Sequence, residues 1–159
     1  MTVYLTAGAD SDYEISAYAF KVGNLPTVLG HHVGWTVVEA YYHGLIALSH
    51  YIIYKKLYVN ATGFVLCTPS KAVKKLVTTE YLEQLHKNSW KSPDGDYIFY
   101  LSLLKELYYH RIFYKERTKK WSVLTELSEN VYQIFESCQA ELNDLIIKED
   151  PHPCVDEMK

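Results

Sequence analysis

Glu39, His43 and His50 stand at offsets of four and seven along one predicted helix, so a carboxylate and two imidazoles share a face. These are metal-ligand types, and such spacing can gather them around one cation. Each also has a simpler use. Glu39 closes the pattern Thr36-Val37-Val38-Glu39, in which the Thr hydroxyl accepts from the Glu39 amide and the carboxylate reaches back to the helix start. A cap of this kind stabilises a helix by about 0.5–2 kcal/mol and accounts for Glu39 without any metal. The histidines are expected to be half-buried and hydrogen-bonded among apolar neighbours. The pair His31-His32, at a strand end, is expected to face solvent. No metal site is expected from this set.

The second group able to do chemistry is basic. Lys71, Lys74 and Lys75 share a helix face by i, i+3, i+4 spacing, and Lys87 and Lys91 flank Trp90 in the loop beyond. Ammonium groups so placed can hold phosphates with salt-dependent, sequence-independent affinity. Lys115, Arg117, Lys119 and Lys120 beside Trp121 form a further basic cluster, part of which edge-strand protection explains. The net charge of −3 conceals this asymmetry. Residues 55–120 hold thirteen Lys or Arg against six acids, a local balance of +7, whereas residues 1–54 sum to −3 and residues 121–159 to −7. A basic middle between acidic ends suits a polyanion bound on one face. A merely solvated helix face would read the same way, and the +7 concentration tips the reading to binding.

Other chemistries find no support. There is no nucleophile–base arrangement, Gly-rich phosphate loop or Cys/His zinc spacing. Cys67, Cys138 and Cys154 lack paired spacing and read as reduced packing residues, consistent with a cytoplasmic setting. The longest apolar stretch, Gly44 to Tyr54, is broken by Ser49 and His50, so no membrane partner is expected. The N-terminus lacks the basic-then-apolar order of an export signal. Of the fifteen tyrosines, the pairs Tyr41-Tyr42 and Tyr108-Tyr109 must each place one ring outward, for base stacking or a protein interface.

The elements that must position these groups follow from periodicity. Val3 to Thr6, Tyr13 to Val22 and Thr27 to Val33 read as three strands of an antiparallel meander, with turn residues from Gly8 to Asp12 and at Gly23-Asn24. A helix runs from Thr36 to about Leu57, its inner face Val37, Ala40, Tyr41, Leu45, Leu48 and Ile52. Phe64 to Thr68 is a short, apolar, interior strand. Thr68 or Ser70 caps a helix from Lys71 to about Lys87, with a kink at Thr78-Thr79. After a loop over Ser89 to Asp96, Tyr97 to Tyr109 is a helix and Ile112 to Arg117 an edge strand. A last helix spans Leu124 to Ile147 with Leu127, Val131, Ile134, Cys138, Leu142 and Leu145 inward. One domain over 1–148 and a disordered tail over 149–159 complete the chain.

The order β-β-β-α-β-α-α-β-α, with Thr6-Ala7-Gly8 ending the first strand, Glu39 in the first helix and Thr68-Pro69-Ser70 ending the fourth strand, resembles the ribonuclease H superfamily over roughly residues 2–145. Ser89-Trp90-Lys91 is similar to that family's middle segment. The resemblance implies an α/β fold: a five-stranded mixed sheet flanked by helices. It also implies that acids on the first strand, first helix, fourth strand and last helix hold two divalent metals that activate water against a phosphodiester. The first-strand motif of the type Thr-Asp-Gly is here Thr6-Ala7-Gly8, and the fourth-strand motif of the type Thr-Asp-Ser is Thr68-Pro69-Ser70. Asn130 or Gln133 falls where the last acid is expected, with Glu129 and Glu136 close by.

Glu39 is thus the remnant of the acid set, and one carboxylate cannot concentrate two metals. The expected function is a catalytically inactive ribonuclease H-like protein that binds nucleic acid through Lys71, Lys74, Lys75, Lys87, Trp90, Lys91, Lys115 and Arg117. In the family the corresponding helix and basic loop hold a duplex backbone. Two alternatives stay open: a protein-interaction module using the acidic last helix and exposed tyrosines, and a nuclease with relocated acids such as Asp10 or Asp12. No cofactor is expected, with Mg²⁺ or Mn²⁺ required only by the nuclease alternative.

Overall fold

A computed structural model describes residues 1–33, 36–95, 98–126 and 128–149. Strands β1 (Thr2–Asp10), β2 (Ile15–Val22), β3 (Val28–Val33), β4 (Gly63–Cys67) and β5 (Lys120–Leu124) form one mixed sheet in the order β3-β2-β1-β4-β5. The helices are α1 (Val37–Tyr54), α2 (Lys71–Thr78), α3 (Tyr81–Lys87), α4 (Leu101–Glu116) and α5 (Glu129–Glu149). The first three strands are the expected antiparallel meander, and β4 lies parallel to both β1 and β5.

The sheet separates two apolar cores, as the alternation along β2 requires. Ile15, Ala17 and Ala19 pack with Ile134, Cys138 and Leu142 of α5 on one face. On the other, Leu5, Phe20, Phe64 and Leu66 pack with Leu48 and Ile52 of α1 and with Leu104 and Leu107 of α4. Each large side chain so buried contributes roughly 1.5–3 kcal/mol. Among the described residues, no helix is long and apolar enough to cross a membrane.

Several boundaries move, each for a local reason. β1 continues through Gly8 to Asp10, which pairs with Ile15, so the turn begins later than its composition implies. Asp10 Oδ1 closes that turn by accepting the amides of Asp12 at 3.0 Å and Tyr13 at 3.2 Å. Gly8 serves close packing: a Cβ there would lie 2.8 Å from Leu142 Cδ1 of α5. The helix after β4 is broken into α2 and α3, where the Thr78 and Thr79 hydroxyls donate back to the carbonyls of Lys74 and Lys75.

Residues 112–116 are the second half of α4 and not a strand. Leu104, Leu107, Tyr108 and Tyr114 are buried at helical spacing, and no Gly or Pro interrupts the run. The edge strand beside β4 is β5, and α5 begins at Glu129 after it. Tyr97, Leu127 and the tail beyond Glu149 lie outside the described residues. Val37 is exposed, whereas Tyr41 and Tyr42 are both buried, so that pair does not split as expected. Tyr108 is buried and Tyr109 exposed, as its pair should be. Cys67 and Cys138 are buried free thiols.

Candidate functional site

β1 and β4 are adjacent and parallel, so Ala7 and the exit Thr68-Pro69-Ser70 lie at one end of the sheet. Ala7 and Thr68 are buried, and Ser70 caps α2 by accepting the Val73 amide at 3.1 Å. The Tyr41 hydroxyl of α1 lies near Thr6 and the Ala7 backbone without bonding the Thr6 hydroxyl, and burial raises its pKa. A phenol therefore stands beside the position where a carboxylate was expected. Asp10 is committed to its turn. Asn130 donates to the Tyr4 hydroxyl at 3.2 Å, while Glu129 and Glu136 are exposed on α5.

Glu39 sits in the first turn of α1 and is 5% exposed. Thr36 accepts its amide at 3.2 Å, which forms half of the capping box. Among the described residues the carboxylate does not complete the other half. Its Oε1 instead lies 3.6 Å from His32 Nε2 and 3.7 Å from His43 Nε2. Its Oε2 is buried without a hydrogen-bond partner. Burial raises the Glu39 pKa, an effect partly offset by His32. Burial lowers the His43 pKa, and the nearby His32 lowers it further. The carboxylate leans toward β3, which stands two strands, roughly 10 Å, away from β1.

The single histidine face read from sequence is therefore two clusters. His32 of β3 joins Glu39 and His43, so it does not simply face solvent, whereas His31 is exposed and lies 3.5 Å from Glu141 of α5. His50 instead meets Glu106 at 3.2 Å and stacks edge-on against His110 of α4. His110 bonds Ser49, which also donates to Tyr114, and burial lowers the His110 pKa. Sequence reasoning missed the roles of His32, Glu106 and His110 because strand-to-helix and helix-to-helix contacts leave no periodic signal.

The basic residues fall at opposite ends of the sheet. Lys71, Lys74 and Lys75 are exposed on α2, which starts where β4 ends. Lys87 and Lys91 are exposed around Trp90, whose ring is held edge-on against Tyr108 and His86. Among the described residues none of these five lysines is in an ion pair, although Lys75 Nζ lies 4.3 Å from the Tyr81 ring centroid. Lys115 and Arg117 belong to the other end, because Lys120 of β5 pairs with Gly63 at the start of β4. Arg117 stacks 3.6 Å over Phe113, and Lys119 donates to the Ala61 carbonyl at 2.6 Å. These contacts give that cluster an internal structural use.

No sequence-family profile and no curated protein matches the chain. Its structure matches several solved ones. A foamy viral protease–reverse transcriptase in complex with double-stranded DNA aligns at TM-score 0.65 and 12% identity, covering 87% of this chain and 88% of that one. RNase H1 from the archaeon Halobacterium salinarum gives 0.56 and 13%, over 90% and 97%. LC11-RNase H1 in complex with an RNA/DNA hybrid gives 0.59 and 11%, over 85% and 91%. The fold is ribonuclease H-like. The chain is an α/β domain of that architecture, with the five-stranded mixed sheet and flanking helices expected from its sequence.

The donor set does not fit the pair of hard divalent metals associated with this fold. Such ions need converging carboxylates, and the relevant strand positions carry a buried methyl at Ala7 and a proline at residue 69. Glu39, in the first turn of α1, turns one carboxylate oxygen, Oε1, toward two imidazoles.

Proposed function

We propose that this chain is a catalytically inactive ribonuclease H-like protein that binds nucleic acid through its basic middle region. The supporting observation is the exposed set Lys71, Lys74, Lys75, Lys87 and Lys91, free of ion pairs among the described residues, on a ribonuclease H-like fold with Ala7 and Pro69 where the resemblance places metal-binding acids. An ammonium already neutralised by a carboxylate would gain little from a phosphate, and these five retain their full charge for a polyanion. The duplex-bound states of two proteins of similar fold favour a double-stranded ligand. Trp90 acts in this reading by holding its loop against α4, so that Lys87 and Lys91 project from a fixed base.

The test is fluorescence anisotropy with a labelled RNA–DNA hybrid at low salt. Saturable binding by the wild type, strongly weakened in Lys74→Glu with Lys75→Glu, supports the reading. No binding at low salt refutes it and leaves the protein-interaction alternative.

A further inference from the structure

The cluster on β3 and α1 points to a ligand that the nucleic-acid reading does not use. Glu39 is 5% exposed, and its Oε2 is buried with no hydrogen-bond partner among the described residues. Leaving such an oxygen unpaired costs about 1–3 kcal/mol. Its Oε1 faces the Nε2 atoms of His32 and His43 at 3.6 Å and 3.7 Å, and the two imidazole rings lie 3.9 Å apart. One donor atom from each residue falls within 4.8 Å of the others.

The two nitrogen–oxygen separations come close to the edge of a tetrahedral site. With zinc–ligand bonds of about 2.0–2.1 Å, neighbouring ligands of a tetrahedral ion stand roughly 3.4 Å apart. The two observed nitrogen–oxygen separations exceed that edge by a few tenths of an ångström. Rotation of the exposed part of either ring covers the difference, since His32 and His43 have side chains 36% and 26% exposed.

We propose that His32, Glu39 and His43 form a binding site for one divalent transition-metal ion of the zinc type. Two imidazoles and one carboxylate suit zinc or cobalt and disfavour magnesium, which prefers oxygen donors. Three protein ligands leave a fourth position for water or an anionic oxygen. The site differs from the all-carboxylate arrangement of the fold family, because β3 supplies a ligand and β1 and β4 supply none. It joins the edge strand β3 to the start of α1, so the ion would also pin that corner of the sheet. His50, Glu106 and His110 are the internal comparison: they carry the same donor types, but His50 and Glu106 have side chains 60% and 46% exposed, so water serves them without an ion.

The full chain, stripped with a chelator, is titrated with Co²⁺ and followed by its visible absorption, then challenged with Zn²⁺. The expected result is one equivalent of Co²⁺ per chain, displaced by Zn²⁺. Glu39→Gln and His43→Ala should each weaken binding about 100-fold or more, since even outer-shell partners matter 10–100-fold. Glu106→Gln should leave it unchanged. Should either site variant fail to fold, nitrogen-15 imidazole spectra of the wild type decide: Zn²⁺ must move the resonances of His32 and His43 and not those of His50 and His110. Absence of saturable binding overturns the proposal. So does binding that survives His43→Ala and disappears in Glu106→Gln.

Discussion

Binding through the α2–α3 lysines makes a quantitative demand on salt dependence. Each lysine that neutralises a duplex phosphate contributes about 0.9 to the slope of log affinity against log salt. Five lysines are exposed without ion pairs among the described residues, so full engagement gives a slope of about −4.5. Between roughly 50 and 200 mM salt, affinity then falls by about 500-fold. Lys71→Gln with Lys74→Gln and Lys75→Gln leaves Lys87 and Lys91, a slope of about −1.8 and a loss of only about 12-fold over the same range. The three substitutions lie on one exposed helix face, so circular dichroism should register little change in folding. Anisotropy titrations at a series of salt concentrations give both slopes directly. Lys115→Gln with Lys120→Gln is the control, because β5 begins at the far end of β4, and it should leave the slope unaltered. Equal slopes for the wild type and the α2 variant would refute the assignment of this face.

Two further predictions concern the scaffold. A Cβ at Gly30 of β3 would overlap the Tyr18 ring, so Gly30→Ala should cost about 1–3 kcal/mol by overpacking and lower Tm by roughly 2–12 °C. An unchanged melting curve would contradict the packing described for β3. Burial pushes Tyr42 and Tyr114 up to about 12. For an acid whose folded pKa is raised, folding favours the protonated form. Stability is therefore intact below the unfolded value of 10.0 and falls as pH climbs from there toward about 12. Urea midpoints should drop across that window, and Tyr42→Phe with Tyr114→Phe should flatten the drop.

Much of this scaffold was legible because burial writes itself into spacing. Val131, Ile134, Cys138 and Leu142 repeat at helical period and are all buried on α5, and β2 sorts its two faces by alternation alone. Residues 112–117 misled because Ile112, Tyr114 and Glu116 alternate with Phe113, Lys115 and Arg117 without separating apolar from polar, so a short window cannot choose between strand and helix. Over the longer window, Leu104, Leu107, Tyr108 and Tyr114 keep helical spacing, and the Tyr114 hydroxyl donates to the Ser49 carbonyl of α1. Glu39 was read correctly as a residue whose amide is capped, but its carboxylate is turned by His32, seven positions earlier on a different element. The lysines were legible in the sequence as a concentration of charge. Their division between the two ends of β4 depended on where β5 pairs, which local sequence does not encode.

Retention without cleavage is the most direct measurement of the central reading. A labelled RNA–DNA hybrid is incubated with the protein and Mn²⁺ or Mg²⁺, and one sample is divided between a native and a denaturing gel. The hybrid should be shifted on the first and intact on the second. Cleaved strands that Glu39→Gln makes whole again would contradict it, by showing that metals still gather where Ala7 and Pro69 now stand.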